Sequence, residues 1–241
     1  SMRSLVIARR EFFAYFESPI GYVVVALFSA LAAALFFLVG DVFFSYNQAS
    51  MRHFFSNMPM LVAMIAPAIA MRSWAEEIRS GTIERLMTLP FSLGQLVVGK
   101  FLGVWAVFAV ALLCTLLAPI SVAMLGDLDW GPVIAAYVGT LFLAGAGLAI
   151  CCFLSALTSN QIVAWMVGAC TLLVFNLLHL LASAVFIPRW LAEISLNIDM
   201  SQHFHALARG VIDVPSLGFY VAVMIISLVA NTLILSLRRH G

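Results

Sequence analysis

The apolar residues of this chain gather in six runs, residues 19–39, 54–71, 96–125, 133–157, 162–186 and 217–237, and the stretches between them carry nearly all of the charge. A run of roughly 20 apolar residues matches the hydrocarbon thickness of a bilayer. Backbone polar groups in lipid must be hydrogen-bonded internally, so each run is expected to be a helix. The second run is the shortest and holds Pro59 and Pro67, the latter expected to kink it. The third exceeds one bilayer and is expected to tilt or protrude. The first is too long for a signal-peptide core and follows a charged stretch, which makes it an uncleaved anchor. The pattern predicts an all-α polytopic membrane protein with six transmembrane helices in a single domain, residues 1–241.

Composition agrees with the pattern. Hydrophobic residues make up 64% of the 241 and charged residues 10%, with a mean hydropathy of +1.10, a balance that excludes a soluble globular domain. Ser1 ahead of Met2 reads as an added residue. The net charge of +1 matters less than its distribution. Arg3, Arg9, Arg10, Arg72, Arg79, Arg85, Lys100, Arg238 and Arg239 fall on one side of the predicted spans, and only Arg52, Arg189 and Arg209 on the other. The excess of basic residues marks the cytoplasmic side, so both termini and the loop 72–100 are expected there. The opposite side, with Asp41, Asp127, Asp129, Glu193, Asp199 and Asp213, is net acidic.

Two charged segments stand out on the basic side. Residues 2–18 mix Leu5, Phe12, Phe13 and Phe16 with Arg9, Arg10, Glu11 and Glu17, a spacing that suits a helix lying in the membrane interface and equally suits a simple positive anchor. In the loop 72–100, Ser73 and Glu76 fit a capping box, which would start a helix with Trp74 and Ile78 on one face. Ser80-Gly81 ends it, and a second short helix over 82–89 stops ahead of Pro90. Glu76, Glu77 and Glu84 have no use in setting topology, which singles this island out as a meeting place for a soluble partner.

Other features carry less chemistry. Gly94 to Lys100 matches the first seven positions of a phosphate-binding loop, but Phe101 stands where a hydroxyl must hold magnesium and no strand precedes it, so nucleotide binding is assigned to a partner. Cys114, Cys151, Cys152 and Cys170 lie in apolar runs without metal spacing and read as small buried thiols. No metal site is expected. Asn176 and His179 share one face of the fifth run, where polar groups either line a translocation path or join two helices. His203 and His205, two apart on a helix, cannot converge on one metal. Ala135, Gly139, Gly145 and Gly147 permit close helix packing in the fourth run. An intramembrane enzyme would need a catalytic constellation, and none of the familiar ones is present.

The run Met71-Arg72-Ser73-Trp74-Ala75-Glu76-Glu77, then Gly81-Thr82-Ile83-Glu84, Leu86, Leu89-Pro90 and Gly99-Lys100, resembles the cytoplasmic loop of ABC-2 type transporter permeases, particularly the branch associated with gliding motility and similar bacterial exporters. Ser201-Gln202-His203-Phe204, Arg209-Gly210-Val211-Ile212-Asp213 and Leu217 resemble the helical hairpin that this family places before its last span. The resemblance covers nearly the whole chain. It implies the ABC-2 permease fold, with residues 2–18 as an interfacial helix, 72–100 as the coupling loop and 187–216 as an extracytoplasmic re-entrant hairpin. It further implies a permease that couples ATP hydrolysis to substrate export in a bacterial inner membrane. The permease would pair with a second one, identical or homologous, and with two ABC ATPase subunits that bind the ATP and magnesium. An extracytoplasmic accessory subunit is a further expected partner besides the lipid bilayer, and nucleic acid is not. Glu76, Glu77, Gly81, Thr82, Glu84 and Arg85 would form the ATPase-coupling element, and the first and fifth spans the dimer interface and path. The alternative function is a force-transmitting or scaffold subunit that moves no substrate.

Overall fold

The computed structural model describes residues 2–37, 51–83, 91–183, 188–210 and 213–240. These residues form helices throughout, and no strand occurs among them. In chain order the helices are α1 (Met2–Glu17), α2 (Pro19–Phe37), α3 (Arg52–Ser56), α4 (Met58–Ala70), α5 (Arg72–Ser80), α6 (Leu93–Cys114), α7 (Leu117–Leu125), α8 (Trp130–Ser155), α9 (Gln161–Ala182), α10 (Arg189–Ile198), α11 (Met200–Leu207) and α12 (Val214–His240). Six stretches among them are long and apolar enough to cross a membrane: Pro19–Phe37, Met58–Ser80, Leu93–Leu125, Trp130–Ser155, Gln161–Leu180 and Val214–Arg238.

These stretches differ in what surrounds them. The second and fourth are 72% and 67% buried within the protein, against 28%, 22% and 22% for the first, fifth and sixth. The second and fourth therefore form the centre of the bundle, and the other three present broad apolar faces outward. Hydropathy alone cannot make this distinction, because lipid and core are equally apolar. Side-chain size makes it. Along α8, Gly139 receives Leu207, Gly145 receives Met224 and Trp105, and Gly147 receives Leu172, so the small residues of the fourth span mark packing within the chain. Phe28, Phe108, Leu143, Leu148 and Tyr220 fill the space around them.

The long third stretch is divided into α6 and α7 by a turn at Thr115 and Leu116. Ser92 and Gln95 make a reciprocal capping box at the start of α6. At Thr115 the helix stops, with the Thr115 hydroxyl donating to the Leu112 carbonyl at 2.6 Å and meeting the Tyr137 hydroxyl at 3.0 Å. Pro119, which has no N–H to donate, sits in the first turn of α7.

α1 lies along α6 at very short range. A Cβ on Gly99 would come within 2.7 Å of the Ile7 Cβ, and one on Gly103 within 2.6 Å of the Glu11 Cβ and 2.9 Å of the Ala8 carbonyl oxygen. The four-residue spacing of the two glycines opens a groove on one face of α6 into which the α1 backbone fits. Leu5, Val6 and Phe13 on the other face of α1 stay exposed. The helix is thus fixed by packing on one side and keeps apolar groups on its surface on the other.

Candidate functional site

Two polar constellations sit at opposite ends of the bundle. The first surrounds α5, which follows α4 with a single residue, Met71, between them. The expected capping box is not made: α5 begins at Arg72, its N-cap Met71 makes no side-chain cap, and Glu76 turns back to Arg72 with a 2.8 Å contact to its Nε. The cap comes from another helix. Ser155, at the end of α8, accepts from the N–H groups of Trp74 (3.2 Å) and Ala75 (3.1 Å) and donates to the Met71 carbonyl (3.0 Å). Only a hydroxyl performs both roles at one atom. Ser155→Ala is accordingly expected to cost about 1–3 kcal/mol, the price of burying donors unpaired; a thermal-unfolding midpoint equal to that of the parent protein would refute the cap.

Lys100 is the hub of this end. It is 2% exposed, and its Nζ reaches Glu77 at 2.7 Å, Glu11 at 3.0 Å and the Ser73 carbonyl at 3.0 Å, with the Trp74 ring centroid 5.0 Å away. One ammonium therefore joins α1, α5 and α6. Trp74 itself is buried with Ile7, Leu96, Val97, Ala156 and Leu235. Tyr15 adds a second tie between α1 and the second span by donating to the Ile69 carbonyl at 2.6 Å, one of the carbonyls at the C-terminus of α4. Burial pushes the Tyr15 hydroxyl far above its ordinary pKa, so it remains a donor.

The outer surface of α5 is differently disposed. Arg79 and Ser80 are exposed, the helix ends on Gly81 in the left-handed region at φ 68°, and Ser80 meets the Thr82 hydroxyl at 2.9 Å. A cleft of about 270 Å³ opens between α1 and α5, walled by Arg10, Glu11, Arg72, Glu76 and Glu77 among others. Of the six residues expected to couple, Glu77 points inward to Lys100, Glu76 is held by Arg72, Gly81 and Thr82 form the end of α5, and Glu84 and Arg85 lie outside the described residues. The run Gly94 to Lys100 is continuous helix.

The second constellation is centred on a residue that sequence reasoning counted only as an acidic charge. Asp199 is fully buried. One of its oxygens accepts from the N–H groups of Ser201 (2.7 Å) and Gln202 (3.2 Å), capping α11. The other accepts from the His179 backbone N–H (2.6 Å) and meets the His179 Nδ1 at 2.9 Å. His179 thus ties the end of α9 to the α10–α11 hairpin. Asn176 does not join it: the Asn176 amide donates to the Leu172 carbonyl of its own helix at 2.8 Å. Tyr220 on α12 donates to the Met200 carbonyl at 2.7 Å, and His203 stacks on Phe219 with centroids 4.2 Å apart. The hairpin is therefore latched to both α9 and α12.

The cysteines divide: Cys151 and Cys152 are buried, whereas Cys114 and Cys170 are exposed on the bundle surface. No group of three or more metal-ligating side chains converges among the described residues. A family model described as ABC-2 family transporter protein matches residues 5–237, the family as a whole and not one branch of it. No curated protein matches the chain.

Proposed function

From the premise that this chain belongs to the ABC-2 transporter family, and so is the multi-pass permease subunit of an ABC exporter that associates with an ABC ATPase, we propose that the ATPase pushes on α5. The observation that carries this reading is the Lys100 cluster. It binds α5 to α1 and α6, while Ser155 binds α5 to α8, so a displacement of α5 moves the third and fourth spans with it. The surface we assign to the ATPase is the end of α5 with Arg79, Ser80, Gly81 and Thr82, and Glu84 and Arg85, next in sequence, stay in the proposed coupling set. Glu76 flanks it, and Glu77 acts from behind by holding α5 in place. Nucleotide and magnesium belong to the ATPase. Two permeases, identical or homologous, work with two ATPase subunits in a bacterial inner membrane, with the outward apolar faces of the first and fifth spans available for pairing.

The docking test pairs Arg79, exposed on α5, with Glu84 of the expected coupling set. Arg79→Glu combined with Glu84→Lys places like charge against the partner and is expected to weaken association by several kcal/mol, read as loss of co-purifying ATPase with normal insertion of the permease. Undiminished co-purification together with substrate-stimulated ATP hydrolysis would place the coupling surface elsewhere. Charge reversal at Glu77 is the wrong test, because it would set a second ammonium against Lys100.

Orientation has its own check. With α1 and α5 on the cytoplasmic side, a cysteine at Asp127 or Asp129, both exposed in the turn before α8, is expected to react with an impermeant reagent in intact cells. Reaction only after membrane disruption would invert the topology.

A further inference from the structure

At the end of the bundle opposite α5, the ring of His203 joins three helices. It leaves α11 and stacks on Phe219 of α12, with centroids 4.2 Å apart and planes 17° from parallel. The Tyr220 ring meets it edge-on with centroids 6.4 Å apart. Nδ1 lies 3.2 Å from the Ser216 hydroxyl of α12, and Nε2 lies 3.0 Å from the Asn197 carbonyl of α10. The chain of contacts goes one step further. The Ser216 hydroxyl donates to Asp213, whose carboxylate also accepts from the Ser216 N–H at 3.2 Å.

The hydrogens in this chain can be counted. A carbonyl oxygen only accepts, so Nε2 must carry a hydrogen to bond Asn197. The single hydrogen of the Ser216 hydroxyl is turned to Asp213, so Ser216 offers His203 a lone pair and Nδ1 must carry a hydrogen as well. The links Asp213–Ser216, Ser216–His203 and His203–Asn197 therefore need a hydrogen each. Ser216 supplies one, a neutral imidazole one and an ionised aspartate none. A further proton is required, and it falls on the imidazole, the stronger base of the two. The stack on Phe219 suits the charged ring, because an aromatic face attracts a cation.

We propose that Asp213, Ser216 and His203 form a proton-binding site, and that the proton held there fastens the α10–α11 hairpin to α12. When the proton leaves to water, the ring keeps one N–H and its other nitrogen turns a lone pair on an oxygen, so the bond to Ser216 or to Asn197 is lost. The fastened form thus holds one proton more than a released hairpin with a neutral ring, and rising pH works against it. The hairpin is held most firmly in acid. Other ionisable groups on the surrounding elements are engaged elsewhere or exposed. Asp199 accepts from Ser201, Gln202 and the His179 N–H and meets the His179 Nδ1, and Tyr220 donates to the Met200 carbonyl. Burial holds His205 below its ordinary pKa, and Arg189, Glu193 and Arg209 are exposed. α8 meets α11 at Gly139, beside Leu207 and Phe204. The site stands independently of how the ATPase docks.

The test uses the full chain in detergent with isotope-labelled histidine, titrated across about pH 5–8. Nuclear magnetic resonance of the ring nitrogens counts the protons on His203, whose signals are those lost in His203→Gln. Wild type is expected to keep both ring protons to higher pH than Ser216→Ala or Asp213→Asn, each of which should bind the second proton about tenfold more weakly. Asparagine still caps α12, so the Asp213→Asn comparison does not depend on unfolding. Protease cleavage within 188–210 is followed alongside, each value taken relative to His203→Gln at the same pH so that the protease's own pH response cancels. Relative cleavage of wild type is expected to rise as His203 loses its proton. Titration of His203 at the same pH in wild type and both variants, or relative cleavage that stays flat while His203 loses its proton, overturns the proposal.

Discussion

Lys100→Met is expected to cost about 3–5 kcal/mol of stability and to uncouple the ATPase, the largest effect of any single substitution at the α5 end. Methionine preserves most of the volume, so the loss is electrostatic. Glu11 and Glu77 would remain facing one site with no cation between them, and a buried charge stripped of its partner is far more costly than the pair was worth. The Ser73 carbonyl would lose its donor as well. Because the penalty arises from the stranded carboxylates, it should be non-additive: Glu11→Gln/Glu77→Gln/Lys100→Met is expected to recover most of the stability but not the coupling. Thermal unfolding of the single and triple variants, with ATP hydrolysis in the reconstituted complex, separates the two effects. A triple variant as unstable as the single one would show that Lys100 acts through packing, and a fully coupled single variant would remove the cluster from the mechanism.

Asp199→Ala is expected to release the α10–α11 hairpin at a cost of about 3–5 kcal/mol, since it leaves a buried, charge-assisted network without its acceptor. Four donors lose their partner in one step. Asp199→Asn should be intermediate: its carbonyl oxygen can keep the cap on α11, while its amide would confront the donors of His179. The measurement is protease cleavage within 188–210 in detergent, alongside the unfolding midpoint. Equal cleavage of wild type and Asp199→Ala would mean that Tyr220 and the His203–Phe219 stack hold the hairpin without the aspartate.

The two sites were legible to different degrees, for a physical reason. Hydrophobic run length reports on a local requirement, the satisfaction of backbone groups in lipid, and so the six spans emerge from it. The expected start of α5 failed because a capping box competes with caps from elsewhere: Arg72 drew Glu76 away, and Ser155, more than eighty residues on, took the cap. Lys100 entered the sequence reading as a topological charge and as half of a broken phosphate loop. Its burial depends on α1 and α5 arriving from distant parts of the chain, which spacing does not encode. The Gly99–Gly103 pair did offer a local sign of close packing there. Asp199 had a weaker one, an acid immediately ahead of a short helical run. His179 entered the sequence reading as a polar group on the fifth run, and the partner that holds it, Asp199, lay twenty residues away.

The seat of α1 on α6 also bears on how the protein is made. Glu11 and Lys100 are 89 residues apart, so the face of α1 that carries Ser4, Ile7, Ala8 and Glu11 emerges from the ribosome well before its groove exists. An amphipathic helix can wait on the membrane surface in that interval. Once α6 has inserted, Gly99 and Gly103 bring the two backbones so close that no lipid chain fits between them. A nascent chain halted before Lys100 therefore differs from a finished one in an observable way, by a loose first helix with an unneutralised glutamate.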